Sequence, residues 1–108
     1  MASPLLGKTI RWTFADGPVA GKTFEHVFND DGSVDWCMVD GDKRSPMHHE
    51  ATASLDQVDD DVAVASYRAG SGYTLTVVLD LADFRMIGFG SNSEMWSRQE
   101  GRFDVLKA

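Results

Sequence analysis

Aromatic residues concentrate on alternating positions, at Trp12, Phe14, Trp36, Tyr67, Tyr73, Phe89 and Trp96, and the only three histidines are His26, His48 and His49. Rings spaced in this way can wall an apolar pocket, and a histidine among them can hold or move a proton near neutral pH. Arginine adds a planar fork that grips a carboxylate with two parallel hydrogen bonds. The residues that could form such a site are therefore Trp12, Phe14, Trp36 and Tyr67 as walls, with His26, Arg44, His49, Arg68 and Arg98 to orient a carboxylate or phenol. Each also has a plainer role. The rings can simply fill a β core. Arg44 can be solvated in a loop, Arg68 can end a strand, Arg98 can sit in a surface ion pair and His49 at a rim.

Other familiar chemistry fails on spacing. Gly17-Pro18-Val19-Ala20-Gly21-Lys22-Thr23 has three residues between its glycines where a phosphate loop needs four, and Phe24-Glu25-His26-Val27-Phe28 continues it as a strand, not a helix. Asn29-Asp30-Asp31-Gly32 starts like a calcium loop, but the acidic ligand six positions beyond the glycine falls on Met38. In His48-His49-Glu50, neighbouring side chains of a strand point to opposite faces, so no metal site or metal cofactor is expected there. No Gly-x-Ser-x-Gly elbow organises a hydrolase triad.

The 108 residues, 1–108, have the size of one domain, 43% hydrophobic and 25% charged, with ten basic against 17 acidic side chains and a formal charge of −7. An acidic chain with no basic stripe repels phosphate backbones, so no nucleic-acid partner is expected. No stretch approaches the roughly 18 apolar residues of a membrane span, and the first residues lack the basic start of an export signal. Cys37 is the one cysteine, which precludes an internal disulfide and favours a reducing, cytoplasmic setting.

The elements that must position these residues read as strands. Apolar residues recur with period two, rich in β-branched and aromatic types. Ile10, Trp12 and Phe14 mark a first strand, Lys22–Phe28 a second, and Val34, Trp36 and Met38 share a face of a third. The polar stretch Asp40–Pro46 reads as the longest loop. His49, Ala51, Ala53 and Leu55 share a face of a fourth strand. Val62–Arg68 forms a fifth, Tyr73–Leu81 a sixth, Phe84–Phe89 a seventh, and Glu94–Leu106 an eighth, bent at Gly101. Tight turns fall at Asn29–Gly32 and Ala69–Gly72. About eight strands at spacings of roughly 8 to 12 residues predict an all-β, antiparallel up-and-down meander, closed into a small barrel so that no edge stays exposed. The first few and last two residues are expected to fray.

The order of these fragments also resembles a known group. Leu6-Gly7-Lys8 leading into Trp12-Thr13-Phe14-Ala15-Asp16-Gly17, then Phe28–Trp36, Val64–Tyr67 before Gly70-Ser71-Gly72, Val78–Asp80 and Met86–Phe89, is similar to bacterial phenolic acid decarboxylases and the related MoaF-like proteins. The resemblance implies a small calycin, or lipocalin-like, barrel. In the decarboxylases two tyrosines of the first strand hold the substrate carboxylate, and an arginine and a glutamate inside the barrel assist protonation of a 4-hydroxycinnamate. The tyrosine positions fall here on Trp12 and Phe14, the glutamate position on or next to Ala69 after Arg68, and Arg44 sits near the arginine position. The resemblance thus implies the barrel with a different or absent chemistry.

Three functions follow as expectations. The first is a MoaF-like binding protein that takes a small apolar or aromatic ligand into the barrel mouth. The second is a lyase or isomerase on the same barrel, with His26 or His49 as base. The third is a purely structural protein whose rings fill the interior and which works as a homodimer through an outer sheet face.

Overall fold

A computed structural model describes residues 3–106. Ten strands form one antiparallel sheet: β1 (Thr9–Phe14), β2 (Thr23–Phe28), β3 (Val34–Asp40), β4 (Lys43–Arg44), β5 (His48–Glu50), β6 (Thr52–Gln57), β7 (Val62–Arg68), β8 (Thr74–Asp80), β9 (Arg85–Ser91) and β10 (Trp96–Leu106). Their order is β4-β3-β2-β1-β10-β9-β8-β7-β6, with β5 also paired to β3. The all-β meander expected from the period-two pattern is therefore present, and the sheet curls in the manner of a small calycin-like barrel. Among the described residues no helix is long and apolar enough to cross a membrane.

Two more strands appear than the pattern marks. Within the polar Asp40–Pro46 stretch, Lys43 and Arg44 pair back onto Asp40 and Val39 as β4. The fourth expected strand is broken at Ala51, so that its first part pairs β3 and its second part pairs β7. This bent segment bridges the two ends of the sheet. The Ala53 N–H donates to the Gly32 carbonyl at 2.8 Å, tying β6 to the β2–β3 turn. That turn needs φ +87° at Gly32, a backbone state costly for residues with a Cβ.

The long strand β10 pairs β9 over Trp96–Arg102 and β1 over Gly101–Leu106. Gly101 stands where it changes partners. A Cβ there would lie 2.1 Å from the Thr13 carbonyl oxygen, so only glycine lets the two backbones meet this closely.

Alternation sends Ile10, Trp12, Phe14, Phe28, Ala63, Ala65, Tyr67, Leu75, Val77, Leu79, Met86 and Phe103 into the buried core. One end of the barrel is plugged. Leu5 is 4% exposed, the Ser3 hydroxyl donates to Gln57 Oε1 at 2.8 Å, and the Gly7 N–H donates to the Phe28 carbonyl. The expectation of a frayed start is thus corrected for residues 3–7, because a buried leucine anchors them. Met1, Ala2 and the last two residues lie outside the described residues. Phe89 and Trp96, counted among the alternating rings, pack on each other outside the barrel with Trp96 67% exposed.

Candidate functional site

The end opposite the plug is hollow. A cavity of about 350 Å³ opens there, walled by Trp12 and Phe14 of β1, Phe24 and His26 of β2, Trp36 of β3, Tyr67 of β7, Tyr73, and Leu75 of β8. Val19, Ala69, Ser71, Asn92 and Gln99 complete the lining. Beyond Met86, the residues that β9 turns inward toward this end are Gly88 and Gly90. A Cβ on Gly88 would press on Phe14 at 3.2 Å, and one on Gly90 would fall 1.8 Å from the Tyr73 hydroxyl. The rings of Phe14 and Tyr73 thus pack directly over the β9 backbone, which only glycine permits at these two positions.

His26 is the chemical centre of this wall. It is 1% exposed, stacks on Trp12 with ring centroids 4.0 Å apart, and lies 5.9 Å from Trp36 in a near-parallel stack. Its Nε2 is 3.0 Å from the Tyr67 hydroxyl. Burial without a charged partner pushes its pKa down to about 3, so the ring is neutral at physiological pH. Burial likewise raises the Tyr67 phenol, and the nearby Glu50 charge adds to the effect. Trp12 Nε1, His26 Nδ1 and Gln99 Oε1 are buried with no hydrogen-bond partner among the described residues.

Glu50 fixes the rim. One carboxylate oxygen accepts the Trp36 indole N–H at 3.0 Å and the other accepts the Gly70 N–H at 3.1 Å. The β3 wall and the β7–β8 hairpin at the mouth are thereby held by one side chain. His48 covers the outer part of Trp36, with ring centroids 4.4 Å apart.

Five of the residues singled out in the sequence, Trp12, Phe14, His26, Trp36 and Tyr67, meet at the cavity. The other four lie outside it, which corrects their expected placement. Arg44 lies on the outer surface, where it bonds both oxygens of Glu25. Arg11 shares that carboxylate at 2.6 Å. Arg68 follows inward-facing Tyr67 and Arg98 precedes inward-facing Gln99, so both point out, and Arg98 lies 3.4 Å from Glu100. His49 is exposed and binds Asp35 at 2.6 Å. The bend at Ala51 shifts the alternation by one residue, which separates His49 from the face that Leu55 occupies.

Phe24, Tyr73, Leu75 and Gln99 also line the cavity, beyond the candidates named from the sequence. Phe24 shares the parity of His26 and could have been found that way. Gln99 shares the parity of Phe103, but a glutamine in a strand carries no signal of burial. Among the described residues, no three His, Cys, Asp or Glu side chains gather as metal ligands.

No family model matches the chain. No curated protein matches it either. Among solved structures the chain is similar to one described as a "putative beta-lactamase from Burkholderia vietnamiensis", with a TM-score of 0.76 and 18% identity, over 98% of this chain and 99% of that one. At that identity the likeness speaks for the fold: a solved chain of matching extent follows the same curled β path.

Proposed function

We propose that the protein binds a small apolar or aromatic molecule in the mouth of its barrel. The observation that carries this reading is a hollow end lined with six aromatic side chains, Trp12, Phe14, Phe24, Trp36, Tyr67 and Tyr73, above a plugged and filled one. Its volume of about 350 Å³ suits a compact ligand, and its mixture of apolar walls with few polar groups is usual for such sites. Kinship with MoaF-like proteins and phenolic acid decarboxylases belongs to this proposal and is supported by the order of residues from Leu6 to Phe89 and by the calycin-like meander. A cytoplasmic setting also belongs to it, supported by the single cysteine.

Binding is favoured over catalysis by the state of His26. A general base works best with a pKa near the working pH, and an imidazole held near 3 accepts protons poorly. Decarboxylation of a phenolic acid is disfavoured as well, because Trp12 and Phe14 occupy the tyrosine positions and Arg44 is engaged outside by Glu25. For the hydrolysis suggested by the neighbour's description, Ser71 is the one serine among the described residues on the cavity wall. Among the described residues no base hydrogen-bonds its hydroxyl.

Titration with a panel of neutral aromatics, indole and naphthalene derivatives among them, tests the reading through tryptophan fluorescence, since Trp12 and Trp36 form the wall. Saturable quenching is expected. Ala69→Phe, which narrows the mouth, is expected to weaken it at least about tenfold, as a ligand-filling side chain competes for the same volume. Flat titrations of the unmodified protein overturn the proposal.

A further inference from the structure

We infer that the cavity selects uncharged aromatic molecules and rejects the matching carboxylates, an inference that rests on the ligand-binding reading above. Among the described residues no Lys, Arg, Asp or Glu lines it; its polar groups are the amides of Asn92 and Gln99, the hydroxyls of Ser71, Tyr67 and Tyr73, the Trp12 indole and the His26 imidazole. The arginines that could have met an anion face away, held by Glu25 or Glu100 or, for Arg68, exposed at the end of β7.

His26 cannot take their place. Its Nε2 meets the neutral Tyr67 hydroxyl, its Nδ1 meets no acceptor among the described residues, and with no carboxylate against the ring, burial among Trp12, Phe28 and Trp36 keeps it neutral. The formal charge beside the cavity is that of Glu50, bonded to the wall residue Trp36. A carboxylate entering the mouth would lose its hydration, find no counter-charge, and feel Glu50 together with the negative whole chain. A neutral amide or phenol loses far less. It also meets side chains with unused hydrogen-bonding capacity, at Trp12 Nε1, His26 Nδ1 and Gln99 Oε1.

The discriminating experiment is calorimetric titration at pH 7.5 with naphthalene-2-carboxamide and naphthalene-2-carboxylate, which share size and shape and differ in charge. The amide is expected to bind at least about a hundredfold tighter, given the penalty for an unpaired buried ion. A carboxylate that binds as well as the amide overturns the inference while leaving the ligand-binding reading intact. Failure of both probes, with flat fluorescence titrations, overturns that reading itself. The Ser71→Arg variant then locates the cause. A cation at this exposed mouth position is expected to narrow the ratio at least about tenfold, as a close ion pair at intermediate dielectric allows. An unchanged ratio shows that charge is not what the cavity reads, and overturns the inference.

Discussion

Replacement of His26 by phenylalanine has a worked consequence for the pH dependence of folding. The imidazole has an ordinary pKa of 6.5 and is held at about 3 in the folded chain, because burial disfavours its cation. Between those values the unfolded chain binds a proton that the folded chain refuses. Stability therefore falls as pH drops below 6.5, by about 1.4 kcal/mol for each pH unit, and the loss levels off only near pH 3. At pH 5 the contribution amounts to about 2 kcal/mol relative to pH 7.5. With the urea dependence usual for a small domain, that is a midpoint shift of about 1 M. Phenylalanine keeps a flat ring against Trp12 and has nothing to titrate. The assay is urea unfolding of both proteins at pH 7.5 and pH 5. The unmodified chain is expected to lose about 2 kcal/mol more than His26→Phe over that interval. His49, whose pKa Asp35 raises, contributes stability in the opposite sense, present in acid and lost as pH rises. Both proteins carry it, along with every carboxylate, so the difference between them isolates His26. Equal losses would refute the buried neutral imidazole, and with it the charge-free cavity.

Gly90→Ala places a Cβ where the Tyr73 hydroxyl lies, so the phenol must swing away. We expect a loss of about 1–3 kcal/mol in the unmodified chain and less than about 0.5 kcal/mol in a Tyr73→Ala background, measured as a double-mutant cycle by urea unfolding. On the outer face, the hydrogen bonds and charge of Arg44, followed by those of Arg11, hold the Glu25 carboxyl below its usual range. Its stabilisation is present above pH 4.5 and is lost as pH falls through the lowered folded-state value. Glu25→Gln is expected to lower the urea midpoint at pH 7 by less than the His26 effect, because both arginines are substantially exposed, and to flatten the midpoint between pH 5 and pH 3. A variant as pH-sensitive as the parent in that range would contradict the shared carboxylate.

Strand positions and inward faces were readable wherever alternation ran without interruption. Trp12, Phe14 and Tyr67 point inward for the reason visible in the chain, that every second residue of their strands is apolar. Arg68 and Arg98, candidates to orient a carboxylate by their side-chain chemistry alone, are each adjacent to an inward residue, so the same rule turns them away from the cavity. Alternation failed at Ala51, where a bend shifts the phase and carries His49 outside to Asp35. No residue in that stretch announces a bend as a glycine or proline would.

The amino-acid sequence by itself determined that the chain is all-β, where its main strands run, and which rings share a face, since these depend on neighbours within a few residues. Only the tertiary structure decided that one end is plugged by Leu5 while the other stays open, that Gly88 and Gly90 lie opposite the rings, and that His26 rests between Trp12 and Tyr67. It also decided that Arg11 and Arg44 converge on Glu25. Register between strands distant in sequence sets the volume enclosed, and the volume and its dielectric set the charge state of whatever is inside.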